Sequence, residues 1–177
     1  MFGLHGAVDV VTLRDERAED VEAIAGVIAA AFAGTPQGGR FEQRVVDVLR
    51  ADGRLSVSLV AERDERVIGH VAFSPVTIGA GETAGWYGLA PLAVLPDCQR
   101  QSVGAGLVRT GLDALRRLGA RGCVVLGDPA YYARFGFEPD GGMVFPQAPA
   151  MYLTALSFDE NAPRPAGEVR YHDAFYA

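Results

Sequence analysis

Three groups of residues in this chain have types and spacing suited to chemistry. The first is the loop inside Pro91 to Leu107, PLAVLPDCQRQSVGAGL, where Gln99, Arg100, Gln101 and Ser102 precede Val103, Gly104 and Ala105. The second is the aromatic run Tyr131-Tyr132-Ala-Arg-Phe-Gly136-Phe137. The third is a set of isolated proton carriers: Glu82, His70, His5, His172 and Asp128. A strand that feeds a small-residue turn and then a helix leaves backbone N–H groups free at the helix N-terminus, where the helix dipole is positive. That arrangement binds phosphate or pyrophosphate. Gly104 and Gly106 permit close backbone approach, Ser102 is placed to cap the helix, and Arg100 is the side chain to meet an anion.

The elements that must hold these residues follow from periodicity. Trp86 to Val94 reads as a strand despite Pro91, and the helix after the loop is apolar at Leu107, Val108, Leu112, Leu115 and Leu118 until Gly119 stops it. Cys123 to Leu126 is a short, wholly apolar strand of buried type. Before this half, Val10 to Leu13 reads as a strand, Ala18 to Phe32 and Phe41 to Arg50 as helices, and Ser56 to Glu62 with Arg66 to Ile78 as a hairpin turning at Arg63-Asp64-Glu65. Pro75 marks a bulge or edge, and Gly79 to Gly85 is a small-residue loop. After it, Met143 to Phe158 has strand character, Asp159 to Gly167 is a loop, and Val169 to Phe175 reads as a terminal strand. The alternation is α/β, with hairpins and one helical crossover, so the sheet is expected to be mixed.

The order valine, leucine, proline, two residues, glutamine, two residues, small residue, apolar residue, glycine resembles the acetyl-CoA pyrophosphate loop of the GNAT N-acetyltransferases. Their Gln/Arg-x-x-Gly-x-Gly/Ala signature falls here on Gln99, Arg100, Gln101, Ser102, Val103 and Gly104, with Ser102 in place of the usual glycine. A positive φ at that serine would carry a cost. The segment YYARFGF is similar to the family's tyrosine–glycine–phenylalanine signature, whose tyrosine, four residues before the glycine, is Tyr132. Gly69 to Phe73 fits the family's third strand. The resemblance implies a GNAT-like fold: a mixed, mostly antiparallel, twisted sheet flanked by helices, with splayed fourth and fifth strands. It implies one domain over residues 1–177, with the cofactor-binding half at about 86–137. It also implies acetyl-CoA as co-substrate, held by Leu92, Ala93, Val94, Gln99, Arg100, Gln101, Ser102, Val103, Gly104, Ala105 and Tyr131.

Acetyl transfer needs a neutral amine and donors for the developing oxyanion; an acid for the departing thiolate is helpful but not essential, since a thiol of pKa ~8.5 is a tolerable leaving group. Oxyanion donors in a dry site contribute roughly 3–4 kcal/mol each, and backbone N–H groups of Leu92 to Val94 are placed to supply them. Tyr132 is the expected general acid, although a packed aromatic that merely hydrogen-bonds the cofactor has the same signature. For the base, Glu82 lies in the loop before the fourth strand, His70 sits on a strand where packing histidines are common, and a water chain serves equally. Asp128 is suited to capping the turn at Tyr131.

Composition narrows the classes. The chain has 177 residues and a net charge of −6, with its basic residues interspersed among acids, which argues against nucleic acid as a partner. All 16 basic residues are Arg, so neither a P-loop GK[ST] site nor a lysine Schiff base is available. No apolar run is long enough for a membrane span, no secretory signal pattern opens the chain, and the two cysteines form no framework. A cytoplasmic protein without metal, monomer or homodimer, is therefore expected, and the resemblance implies a small-molecule or protein amine as the acceptor. A non-catalytic CoA-binding protein of the same fold is the alternative. A dinucleotide site read from Gly104-x-Gly106 fails at Arg109, where the fingerprint needs a small residue.

Overall fold

The computed structural model describes residues 10–80 and 84–177. In chain order they form β1 (Thr12–Asp15), α1 (Val21–Ala31), α2 (Arg40–Ala51), β2 (Val57–Arg63), β3 (Arg66–Pro75), β4 (Thr77–Ile78), β5 (Trp86–Val94), α3 (Val103–Arg117), β6 (Gly122–Leu126), α4 (Pro129–Tyr132), β7 (Glu138–Pro139), β8 (Met143–Val144), β9 (Leu153–Ser157) and β10 (Gly167–Arg170). Among the described residues the main sheet runs β1-β2-β3-β5-β6-β9-β7, and a small sheet runs β4-β10-β8. Within the main sheet β5 and β6 are parallel, joined through α3, and every other pairing is antiparallel. No helix among the described residues is long and apolar enough to cross a membrane.

The core forms where period-2 strands meet period-3.6 helices. On β3, the odd positions face α3. A Cβ at Gly69 would stand 3.0 Å from Leu107 and 3.2 Å from Val103, and the Phe73 ring fills the space over Gly111, where any side chain would collide with it. The even positions Ile68, His70 and Ala72 face the opposite side, where α1 and α2 lie, and Phe73, Leu107, Leu115, Ile24 and Ile28 are all fully buried. A second core joins the small sheet to β6 and β9 through Ile78, Trp86, Val124, Leu153, Val169 and Tyr171.

Several boundaries differ from the sequence expectation. The first strand is Thr12–Asp15, two residues later than Val10 to Leu13. It is held in place by Arg14, whose guanidinium bridges Asp20 at 2.7 Å and Glu62 at 2.6 Å. The first helix opens as a 3-10 turn over Ala18–Asp20. The long strand from Arg66 breaks after Pro75, which cannot donate to a ladder, and Thr77–Ile78 leaves to pair with β10. The terminal strand ends at Arg170; Asp173–Phe175 is a 3-10 turn capped by His172, whose Nδ1 accepts the Ala174 N–H at 3.2 Å.

The feature that positions the site lies on β5. Opposite it on β3, His70 faces Ala93 and Val71 faces Leu92, but Phe73 faces Leu89, so Ala90 and Pro91 form a bulge. The parallel ladder to β6 runs from Trp86 opposite Gly122 to Leu89 opposite Val125 and ends there. Beyond Leu89 the two strands separate.

Candidate active site

α3 begins at Val103, and its first α-helical hydrogen bond is Gly106 N–H to Ser102 O at 3.0 Å. The N–H groups of Val103, Gly104 and Ala105 thus have no acceptor within the helix. The loop before them is wound tightly, with Arg100 at φ +59° and Ser102 at φ +64°. Ser102 occupies the N-cap position, but its side chain makes no capping bond, contrary to the expectation from its type. A left-handed residue carries its side chain away from the first-turn amides, which leaves them open. Gln99 fixes the loop to the end of β5 through Nε2–H to Val94 O at 3.0 Å.

These elements enclose a groove of about 540 Å³ lined by Leu92, Val94, Gln99, Arg100, Ser102, Val103, Gly104, Ala105, Tyr131 and Arg134. Two of the expected cofactor residues sit elsewhere. Ala93 is buried opposite His70. Gln101 turns outward, where it accepts from Arg63 at 3.0 Å and donates to Asp97 O at 3.0 Å. Arg134, unassigned from sequence, joins the groove because the turn brings it back over Tyr131: its Nε donates to Tyr131 O at 2.9 Å and its guanidinium lies 4.4 Å from that ring's centre. Its spacing of three from Tyr131 on a helical turn was the available signal.

A second cavity, about 620 Å³, opens on the other side of the β5–β6 gap. Leu89 to Leu92, Leu126 to Asp128, Tyr131 and Tyr132 form its floor, Phe32 just after α1 and Phe41, Glu42 and Val45 of α2 form one wall, and the C-terminal segment gives Phe145, Tyr171, Phe175 and Tyr176. Leu92 and Tyr131 line both cavities, so the two meet at the bulge.

Asp128 caps α4, its Oδ1 accepting the Ala130 N–H at 2.9 Å. The cap sets the paired tyrosines edge to face, 5.0 Å between ring centres, with Tyr132 also 5.8 Å from the buried Phe137. Burial raises the pKa of both phenols, so both hydroxyls are protonated donors at neutral pH. For Tyr132, neighbouring Tyr131 and Cys123 push in the same direction. For Tyr131, Arg134 and Arg109 oppose it.

Of the remaining sequence candidates, Glu82 and His5 lie outside the described residues. His70 is fully buried on β3, with Nε2 2.9 Å from Ser58 Oγ and Glu16 beyond it; burial holds its pKa below the ordinary value, and it lines neither cavity. Cys98 is buried, and burial raises its thiol pKa, which is unfavourable for a nucleophile. Among the described residues no cluster of three or more His, Cys, Asp or Glu side chains is arranged to hold a metal.

Residues 21–137 match the acetyltransferase (GNAT) family. The chain is 42% identical over 139 residues to YhbS of Escherichia coli K12, an uncharacterized N-acetyltransferase, covering 76% of this chain and 83% of that protein. A GNAT family acetyltransferase from Brucella melitensis, crystallised with acetyl-CoA, superposes with a TM-score of 0.82 at 45% identity over 94% of this chain and 99% of its own. The crystal structure of E. coli YhbS with CoA superposes with a TM-score of 0.88, covering 99% of this chain and 97% of that one. Sequence match, relatives and fold agree: the chain belongs to the GNAT acetyltransferase family.

Proposed function

We propose that this protein transfers the acetyl group of acetyl-CoA to an amine by direct attack within a ternary complex. The observation that carries the reading is the meeting of two cavities of different character at the β5 bulge. One is a basic groove at a helix N-terminus and the other is an apolar chamber. The solved relatives from Brucella melitensis and E. coli hold acetyl-CoA and CoA.

In this reading the pyrophosphate sits on the N–H groups of Val103, Gly104 and Ala105, with Arg100 and Arg134 beside it. The pantetheine arm lies along Leu92 to Val94, in place of the ladder that β6 does not supply. Where β5 is parted from β6, its backbone N–H groups serve as donors to the thioester oxygen. The amine nitrogen, approaching through the second cavity, forms the new C–N bond, the C–S bond breaks, and the ammonium proton leaves to solvent. Tyr132 donates its hydroxyl hydrogen bond to the departing sulfur. Its raised pKa exceeds the ~8.5 of a thiol, so it stabilises the thiolate by sharing the proton and not by giving it up outright.

Calorimetric titration with acetyl-CoA, on wild type and on Gly104→Trp, tests the cofactor assignment, followed by thiol release in the presence of amines. Binding lost in the variant and amine-dependent thiol release support the reading. Binding without release from any amine would instead favour a CoA-binding protein without turnover, and no binding would overturn it.

A further inference from the structure

The second cavity is chemically lopsided. Its only charged lining side chains among the described residues are acidic, Glu42 and Asp128, whereas the adjoining groove carries Arg100 and Arg134. Asp128 is committed to its cap. Glu42 is not: its Oε2 is buried with no hydrogen-bond donor. A carboxylate oxygen shut away from water without a donor is unfavourable until one arrives. The surrounding walls are rings, Phe32, Phe41, Phe145, Tyr171 and Phe175, which attract a cation over their faces and cover an apolar body. Arg44, next to this wall, is already engaged: its guanidinium lies over the Phe41 ring, 5.7 Å from its centre, and donates to Ala177 O.

Resting on the transferase reading above, we infer that this cavity takes an amine with an aromatic or bulky alkyl body, and that Glu42 is the residue that receives its ammonium form. A polyamine is disfavoured, since its second ammonium would give up water for ring faces and the cap carboxylate of Asp128, and its charged chain would cover the apolar wall poorly. Glu42 is a specificity and positioning residue here: it concentrates the cationic acceptor beside the bulge, and the amine loses its proton to solvent before attack.

The test has two arms. In the first, calorimetry measures 2-phenylethylamine binding to the protein without cofactor, for wild type and Glu42→Gln, with thermal melting confirming that the variant folds. In the second, thiol release at saturating acetyl-CoA compares 2-phenylethylamine and hexylamine with spermidine and a lysine-containing peptide. The expected result is binding weakened at least tenfold by Glu42→Gln, a matching rise in KM with kcat within threefold, and kcat/KM for the apolar amines at least tenfold above the others. Preference for spermidine or the peptide, or equal 2-phenylethylamine binding by both proteins, overturns the inference while leaving the transferase reading intact. A fall in kcat at unchanged KM also overturns it, because Glu42 would then act on the reacting proton. Glu42-dependent amine binding with no thiol release would keep the cavity assignment and remove the transferase.

Discussion

The Tyr131 hydroxyl lies 3.0 Å from the point where a Cβ on Gly104 would stand. The α4 turn and the α3 N-terminus therefore close on each other across the groove, leaving a slot with no room for a side chain. Gly104 has helical backbone, so alanine suits its conformation and by propensity alone would stabilise the helix by about 1 kcal/mol. Gly104→Ala should consequently leave the melting temperature within a few degrees of wild type while weakening acetyl-CoA binding about tenfold, which calorimetry would measure. Equal affinity would move the cofactor away from this slot.

Removing the Tyr132 hydroxyl tests its bond to the departing sulfur. A hydrogen bond to a charged partner contributes about 1.5–3 kcal/mol, so Tyr132→Phe should lower kcat roughly 10- to 100-fold with little change in acetyl-CoA affinity. The ring stays packed on Phe137, so folding should be unaffected. An unchanged kcat would reduce Tyr132 to a packing residue.

Ser102 holds a left-handed conformation without a capping bond in return. That conformation costs a side-chain-bearing residue about 1–2 kcal/mol, partly offset by glycine's greater freedom when unfolded. Ser102→Gly should raise stability by roughly 0.5–1 kcal/mol in denaturant titration. It should leave the groove's amides in place and acetyl-CoA affinity within a factor of two.

Stability should fall on acidification in two stages. Burial works against the charge of Glu16, but His70, Arg50 and Ser58 around it outweigh that and bring its pKa to about 2. A depressed carboxylate pKa stabilises the fold above the ordinary value of 4.5, and this is lost as pH falls toward 2. His70, lowered chiefly by burial, is likewise favourable above its ordinary 6.5 and is lost below it. Thermal melts should show the first decline below about pH 6.5 and the steeper one below about 4.5. Glu16→Gln should flatten the second stage and cost roughly 1–3 kcal/mol at pH 7, because it removes the charge that pairs with Arg50 at 2.6 Å and leaves that guanidinium only Asp47, at 2.9 Å.

The loop and the tyrosine turn are legible in sequence because each is local: a few consecutive residues set the strand end, the exposed amides and the capped turn. Arg100 could thus be assigned to the groove from its neighbours alone, and Tyr131 from the resemblance that its turn carries. Glu42, Phe32 and Tyr171 could not, since the chamber they line is assembled from the end of α1, α2 and the C-terminal segment, and nothing in the face Phe41, Val45, Val48 and Leu49 reveals what covers it. Gln101 shows the converse limit. Its motif position suggested the cofactor, yet the left-handed residues on either side turn it toward Arg63. The early end of the last strand at Arg170 follows from β10 having only two short partners, β4 and β8, to pair with.

The ladder between β5 and β6 stops at Leu89, so the sheet resembles a zipper fastened over only part of its length. Among the described residues, the strands from β6 onward in that sheet, β9 and β7 included, are hydrogen-bonded to its other strands only through that short seam. A molecule lying in the open part would act as a stitch between the two halves. Amide hydrogen exchange would register this as slower exchange in β5 beyond Leu89 and, at a distance, in β9, so that occupancy of the site is reported by a strand that lines neither cavity.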